Sequence, residues 1–207
     1  VATQVEVYNC IFEAAPAIQI RSEITIDGCY FTAAKGLSNT TGHVVAYSNS
    51  PWGATLRNCI FAPKGNALPQ VEIRQDSIEV LLENCQFYNQ GSGTFLNLGT
   101  GGSNRYTIKD CLFYNRADNA SFSVSVEIDN GQALIERCRF IGRTTGDRGV
   151  FLCSSMDGGP SAESFLQIDH CTFQDISGGT LFHVIQPTNP GLSGRITGSN
   201  NRINNFL

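Results

Sequence analysis

The chain has 207 residues, of which 41% are hydrophobic and 15% charged, and 14 Lys and Arg against 18 Asp and Glu leave a formal net charge of −4. That length suits one domain over residues 1–207, the apolar content excludes a disordered or coiled-coil protein, and the absence of a basic stripe argues against a nucleic-acid partner. Twenty-one glycines against one methionine and one tryptophan, with no amphipathic leucine-rich run, point to strands rather than helices.

In chain order the first predicted element is the phrase VEVYNCIF from Val5, and the same phrase then returns six times. It reads ITIDGCYF at Ile24, ATLRNCIF at Ala54, VLLENCQF at Val80, YTIKDCLF at Tyr106, ALIERCRF at Ala133 and LQIDHCTF at Leu166. The template is apolar, x, apolar, x, x, Cys, x, Phe. Its cysteines, Cys10, Cys29, Cys59, Cys85, Cys111, Cys138 and Cys171, are spaced by 19, 30, 26, 26, 27 and 33 residues. A looser apolar stretch follows each copy: AIQI at Ala17, VVAY at Val44, VEIR at Val71, FLNL at Phe95, SVSVEI at Ser123, VFLC at Val150 and LFHV at Leu181. A degenerate phrase, RITGSNNRINNF from Arg195, begins a last copy in which Ser or Asn replaces Cys. Each period holds three short strands and no helix, which is the signature of a solenoid. A leucine-rich repeat would need a leucine three residues upstream of each phrase, and those positions are Ala2, Arg21, Pro51, Ser77, Ser103, Asn130 and Glu163.

The phrase I-x-x-Cys-x-F, with Asn before the Cys, resembles the right-handed parallel β-helix of the pectate-lyase-like superfamily, and the resemblance covers nearly the whole chain. It implies an all-β, single-stranded solenoid of seven to eight coils. The phrase then supplies the second strand, a two-residue turn and the third strand, and the looser stretch supplies the first strand. Equivalent positions of successive coils stack about 4.8 Å apart and become files along the axis. One file holds Val7, Ile26, Leu56, Leu82, Ile108, Ile135 and Ile168, a second the seven cysteines, and a third Phe12, Phe31, Phe61, Phe87, Phe113, Phe140 and Phe173.

The residue before each cysteine is Asn9, Gly28, Asn58, Asn84, Asp110, Arg137 or His170. A tight corner there calls for a left-handed backbone, which Gly, Asn and Asp accept, so Arg137 and His170 are the strained exceptions. In-register cysteines have parallel Cβ vectors, poor geometry for bridging, and are expected to be reduced core filler. Cys153, outside the file, is the one candidate for a reactive thiol. Two residues before each cysteine, the outward file Tyr8, Asp27, Arg57, Glu83, Lys109, Glu136, Asp169 alternates in sign from Asp27 to Glu136, which favours the register. Where the alternation breaks, Glu136 beside Asp169 is a possible Ca²⁺ pair, set against the simpler expectation that Arg137 and Arg139 neutralise them. No cofactor is otherwise expected.

The resemblance implies polysaccharide lyases, hydrolases or epimerases working on the groove beside the first strand. Lyase chemistry needs a base and a cation beside a uronate carboxyl, for which Glu72, Arg74 and Arg148 are the candidates. The phrase IDHCTF at Ile168 looks like a fragment common in pectate lyases, but Asp169 and His170 fall at the corner, and the family's calcium-binding aspartates have no counterpart. His43, His170 and His183 lie in different coils. A binding surface asks for less: Tyr47 and Phe95 could stack on sugar rings while Arg74, Asn97 and Glu127 give polar contacts, unless a one-residue slip turns Phe95 inward. The reading adopted is a carbohydrate-associated module, binding or adhesive, of a larger secreted, cell-surface or viral protein, with a polysaccharide as partner and no membrane insertion. A uronate-specific lyase and a passive stalk are the alternatives. The chain opens at Val1 without a methionine, as a mature product or excised piece would, and its uncapped N-terminal coil is expected to meet a neighbouring domain or subunit.

Overall fold

The computed structural model describes residues 4–13, 18–20, 22–32, 44–46, 53–62, 71–73, 79–89, 95–98, 104–115, 126–128, 131–142, 151–153, 165–175, 182–184 and 195–204. Among them every regular element is a strand. Each phrase turns once, because its apolar residues alternate up to the corner and one left-handed residue then redirects the chain. Thus Ile24–Asp27 runs to Gly28 and Cys29, and Tyr30–Phe31 leaves in a new direction.

Three parallel sheets result. The first has eight strands, from Val5–Tyr8 to Arg195–Ser199; the second also has eight, from Ile11–Phe12 to Arg202–Asn204; the third has seven, from Ile18–Ile20 to Phe182–Val184. In each sheet the neighbours are the same strand of consecutive coils. Among the described residues all three strands of seven coils and two strands of an eighth are therefore present, and the degenerate phrase at Arg195 supplies the strands of that eighth coil.

Register is kept residue by residue: Ile26, Leu56, Leu82, Ile108, Ile135 and Ile168 are successive partners in the first sheet, and all are buried. In the second sheet the phenylalanines stack from Phe12 to Phe173 with ring centroids 4.6 to 5.2 Å apart and planes within 9°. The strand spacing imposes this stack, and each ring removes roughly 150 Å² or more from water. A coil therefore covers its neighbours and is covered by them, so stability is shared along the rod.

The cysteine file runs beside the rings, and seven cysteines, Cys10 to Cys171, are free thiols. Each satisfies its S–H locally. The Cys59 thiol has the Arg57 carbonyl at 3.1 Å and, one coil back, the Ile26 carbonyl at 3.6 Å. In the eighth coil Asn201 stands in the file. Its Nδ2 donates to the Ile168 carbonyl at 2.7 Å, while its Oδ1 accepts from the Cys171 N–H at 2.9 Å. Gly198 makes room for that amide, since a Cβ there would meet the Ile168 carbonyl at 2.6 Å and Asn201 Nδ2 at 2.9 Å.

The corner file is left-handed throughout, with φ of 52° at Asn9, 64° at Gly28, 53° at Asn58 and Asn84, 56° at Asp110, 51° at Arg137, 55° at His170 and 55° at Asn200. The two strained exceptions do adopt the same conformation. A corner N–H donates to the next coil, as from Asn58 to the Glu83 carbonyl at 3.1 Å. The residue two further on donates to the coil before, as from Ile60 to the Cys29 carbonyl at 2.9 Å. Side chains join in: Asn84 Nδ2 donates to Asn58 Oδ1 at 2.7 Å, and Asn58 Nδ2 to Asp27 Oδ1 at 2.8 Å.

Candidate functional site

Three of the polar residues singled out in the sequence lie in strands of the third sheet. Glu72, Asn97 and Glu127 occupy the central position of consecutive strands and are register partners. Leu96 and Leu98 on either side of Asn97 are buried, so alternation turns Asn97 outward. Glu72 is itself only 6% exposed, a covered carboxylate rather than an open base.

Phe95 corrects an expectation. It is 1% exposed, with its ring edge-on to Phe87 at 6.4 Å and tilted against Phe113 at 5.8 Å. Lying just before the strand Leu96–Leu98, it packs into the gap beside the phenylalanine stack and cannot stack on a sugar. Tyr47, Arg74, Arg148 and His43 lie outside the described residues, so the base-and-cation pairing of Glu72 with either arginine is not assembled by anything described. His170 is at a corner, with Asn200 Nδ2 3.2 Å from its Nε2.

Glu136 and Asp169 are register partners, as the spacing requires, but each is bonded elsewhere. Arg137 Nη1 donates to Glu136 at 3.3 Å. Asp169 Oδ1 accepts from the Ser199 hydroxyl at 2.8 Å and the Ser199 N–H at 2.9 Å, and its Oδ2 accepts from Gln167. The Gln167 and Ser199 hydrogen bonds hold the Asp169 carboxyl below its usual range. Among the described residues no group of three His, Cys, Asp or Glu is placed to hold a metal. Two carboxylates alone fall short of the six to eight oxygens that Ca²⁺ takes.

The alternating file on the first sheet forms two of its four expected ion pairs. Glu83 receives Lys109 Nζ at 2.8 Å and Arg57 Nε at 2.9 Å. Hydrogen bonding from Lys109, followed by the charges of Lys109 and Arg57, lowers the Glu83 pKa. Asp27 and Glu136 turn instead to the corner residues Asn58 and Arg137.

One concave feature escaped the sequence reading. A groove of about 390 Å³ crosses the outer face of the first sheet over the second to fifth coils, lined by Glu23, Thr25, Thr55, Glu79, Leu81, Arg105 and Thr107 among others. Thr25, Thr55, Leu81 and Thr107 are successive register partners, so three hydroxyls and one leucine form its floor. Glu23, Glu79 and Arg105 are exposed at its rim, the last two 3.6 Å apart. The signal was present in the second position of the phrase, which reads Thr in three of these four copies.

Residues 50–206 match the family model described as a right handed beta helix region. No curated protein and no solved structure matches the chain.

Proposed function

The chain belongs to the right-handed β-helix family, and on that footing we propose that it is a carbohydrate-associated module of a larger secreted, cell-surface or viral protein. The observation that carries this reading is the threonine-floored groove on the first sheet. Hydroxyls one and two coil spacings apart, about 4.8 Å per coil, both donate and accept, as a polyhydroxylated chain requires. Carboxylates at the rim accept sugar hydroxyls, Arg105 donates to them, and Leu81 offers an apolar contact. The groove is open along the rod, which suits a polymer better than a small enclosed ligand. No helix among the described residues is long and apolar enough to cross a membrane.

A glycan array followed by titration of the best ligand tests the reading. Thr55→Val and Arg105→Ala should each weaken binding about tenfold while leaving the fold intact, as expected for loss of one well-placed polar contact. Unchanged affinity in both variants removes the groove from the account, and no binding to any glycan leaves a passive stalk. Incubation with pectate, alginate and chondroitin, with Ca²⁺ present, checks the lyase alternative. A rise in absorbance from unsaturated ends that is lost in Arg74→Ala or Arg148→Ala would make the protein an enzyme.

A further inference from the structure

The groove on the first sheet has one gap in its lining of side chains, and carboxylates border that gap. At the head of the first-sheet strands, successive coils carry Glu23, Gly53, Glu79 and Arg105. Ala54 and Leu56 are buried, so alternation turns Gly53 outward, to the same side as Thr55. Its backbone lies outside the left-handed region, and a Cβ added there would meet only the Glu79 carbonyl, at 3.5 Å, an ordinary contact. The conformation therefore does not require glycine. What the missing side chain provides is a notch between Glu23, one coil back, and Glu79, one coil ahead, a span of two coil spacings or about 9.6 Å. We propose that this notch seats one sugar ring bearing a protonated amine, so that the groove selects a polymer of amino sugars over neutral sugars and uronates. The inference rests on the carbohydrate reading of the groove and adds to it the class of sugar.

The charges around the notch favour that class. Glu23 is exposed and has no ion pair among the described residues. Glu79 has Arg105 at 3.6 Å, but the two side chains are 76% and 68% exposed, and such a pair is weak. The other cations on this face over the groove are committed, Arg57 and Lys109 both to Glu83, at 2.9 and 2.8 Å. A uronate would bring its carboxylate between two others, with no uncommitted cation to receive it. An ammonium has an acceptor on either side and three hydrogens to donate. The hydroxyls of the same ring face Thr25 and Thr55 on the groove floor. Acetylation of the amine removes both the charge and two of its hydrogens, which leaves the carboxylates only hydroxyl contacts.

Calorimetric titration of the 207-residue chain at about pH 6, where glutamates are ionised and a sugar amine is protonated, tests this. The probes are a glucosamine oligomer, its N-acetylated counterpart and a galacturonate oligomer of the same length. The glucosamine oligomer should bind about tenfold more tightly than the N-acetylated one, as two exposed charge contacts allow, and the galacturonate oligomer most weakly. Added salt should shrink the preference. Glu23→Gln should remove most of it while leaving affinity for the N-acetylated oligomer unchanged, and Glu13→Gln, on another sheet, should alter neither. Gly53→Leu keeps every charge and fills the notch, so it should weaken binding of the glucosamine oligomer at least about tenfold; Gly53→Ala, a smaller filling, should weaken it less. Circular dichroism confirms that each variant keeps its strands.

Glucosamine binding undiminished in both Gly53 variants would reflect a general attraction to a chain of net charge −4 and overturns the proposal. Equal affinity for all three probes, lost on filling the notch, overturns the selectivity for amino sugars and leaves the carbohydrate reading standing. Binding of none of the three overturns the proposal as well, and the glycan array then decides the carbohydrate reading separately.

Discussion

Arg137 holds Asp110, its counterpart one coil earlier, with two parallel hydrogen bonds, Nε to Oδ1 at 2.8 Å and Nη2 to Oδ2 at 2.9 Å. Both residues are left-handed, with φ of 51° and 56°. An arginine in that conformation costs roughly 1–2 kcal/mol, and the half-exposed bidentate pair, screened by solvent, offsets part of it. His170 is also left-handed, with φ of 55°, and has no bidentate pair of this kind.

Replacing these two corners by glycine separates strain from pairing. His170→Gly should stabilise the protein by about 0.5–1 kcal/mol, the strain relieved less the entropy glycine loses on folding. Arg137→Gly should be near neutral, since it also removes the pair with Asp110. Urea midpoints of both variants check this, and equal gains would mean that the Arg137–Asp110 pair contributes nothing.

The reverse substitution at Gly28 should be costly. A Cβ there would stand 2.5 Å from Oδ1 of Asn9, on a backbone with φ of 64°. Gly28→Ala should destabilise by about 1–2 kcal/mol, while Asn9→Ala combined with it should recover the part due to the clash. A double-mutant cycle with no coupling would show that the clash relaxes freely.

The ring stack makes a prediction graded by position. Phe87 is fully buried between Phe61 and Phe113, so Phe87→Ala should cost about 3–5 kcal/mol. Phe12, partly buried with a ring neighbour on one side of the file, should cost clearly less when changed to Ala. Equal losses in denaturant titrations would mean that the stack does not share its burial along the axis.

Thiol reactivity should follow the file. Hydrogen bonding with the Cys111 thiol, then burial, pushes Cys85 up to about 12, and burial is the leading cause of the rise at Cys138. Thiolate is therefore scarce at neutral pH. Native protein should leave Cys29, Cys59, Cys85, Cys111 and Cys138 unlabelled by iodoacetamide over hours, and unfolding should release all of them. Rapid native labelling of Cys85 or Cys111 would contradict their packing.

Acid should destabilise the protein. Glu83 is lowered first by its hydrogen bond from Lys109, Asp110 by that from Arg137, and Asp169 by that from Gln167. A carboxylate depressed in the folded state contributes stability that is complete above its unfolded value, near 4, and is lost as pH falls through the folded one. Urea midpoints should be level from about pH 6 to 8 and decline below about pH 4.5. Glu83→Gln should shallow that decline, and a midpoint rising on acidification would refute the assignment.

Much of the architecture was legible because one residue type carried one job in every coil. Phe87, Cys85 and Asn84 each announce a file, and the spacing between copies leaves only the corners free to vary. Phe95 was not legible, because the looser stretch FLNL admits two registers and only the gap beside Phe87 and Phe113 decides between them. The alternating charges were half legible. Glu83 takes both of its file neighbours, whereas Asp27 and Glu136 prefer corner side chains whose reach depends on a left-handed backbone. The groove was written in Thr25, Thr55 and Thr107, but a position that tolerates Leu81 and Gln167 elsewhere looks unconstrained until the coils are stacked.

The most direct test of the account is the anomalous scattering of sulfur from a crystal of the unmodified chain. Seven peaks in one row, successive neighbours about 4.8 Å apart, are expected for the file from Cys10 to Cys171. Pairing of any of these seven sulfurs at about 2 Å, or their scatter away from a common line, would contradict the stacked coils and with them the groove.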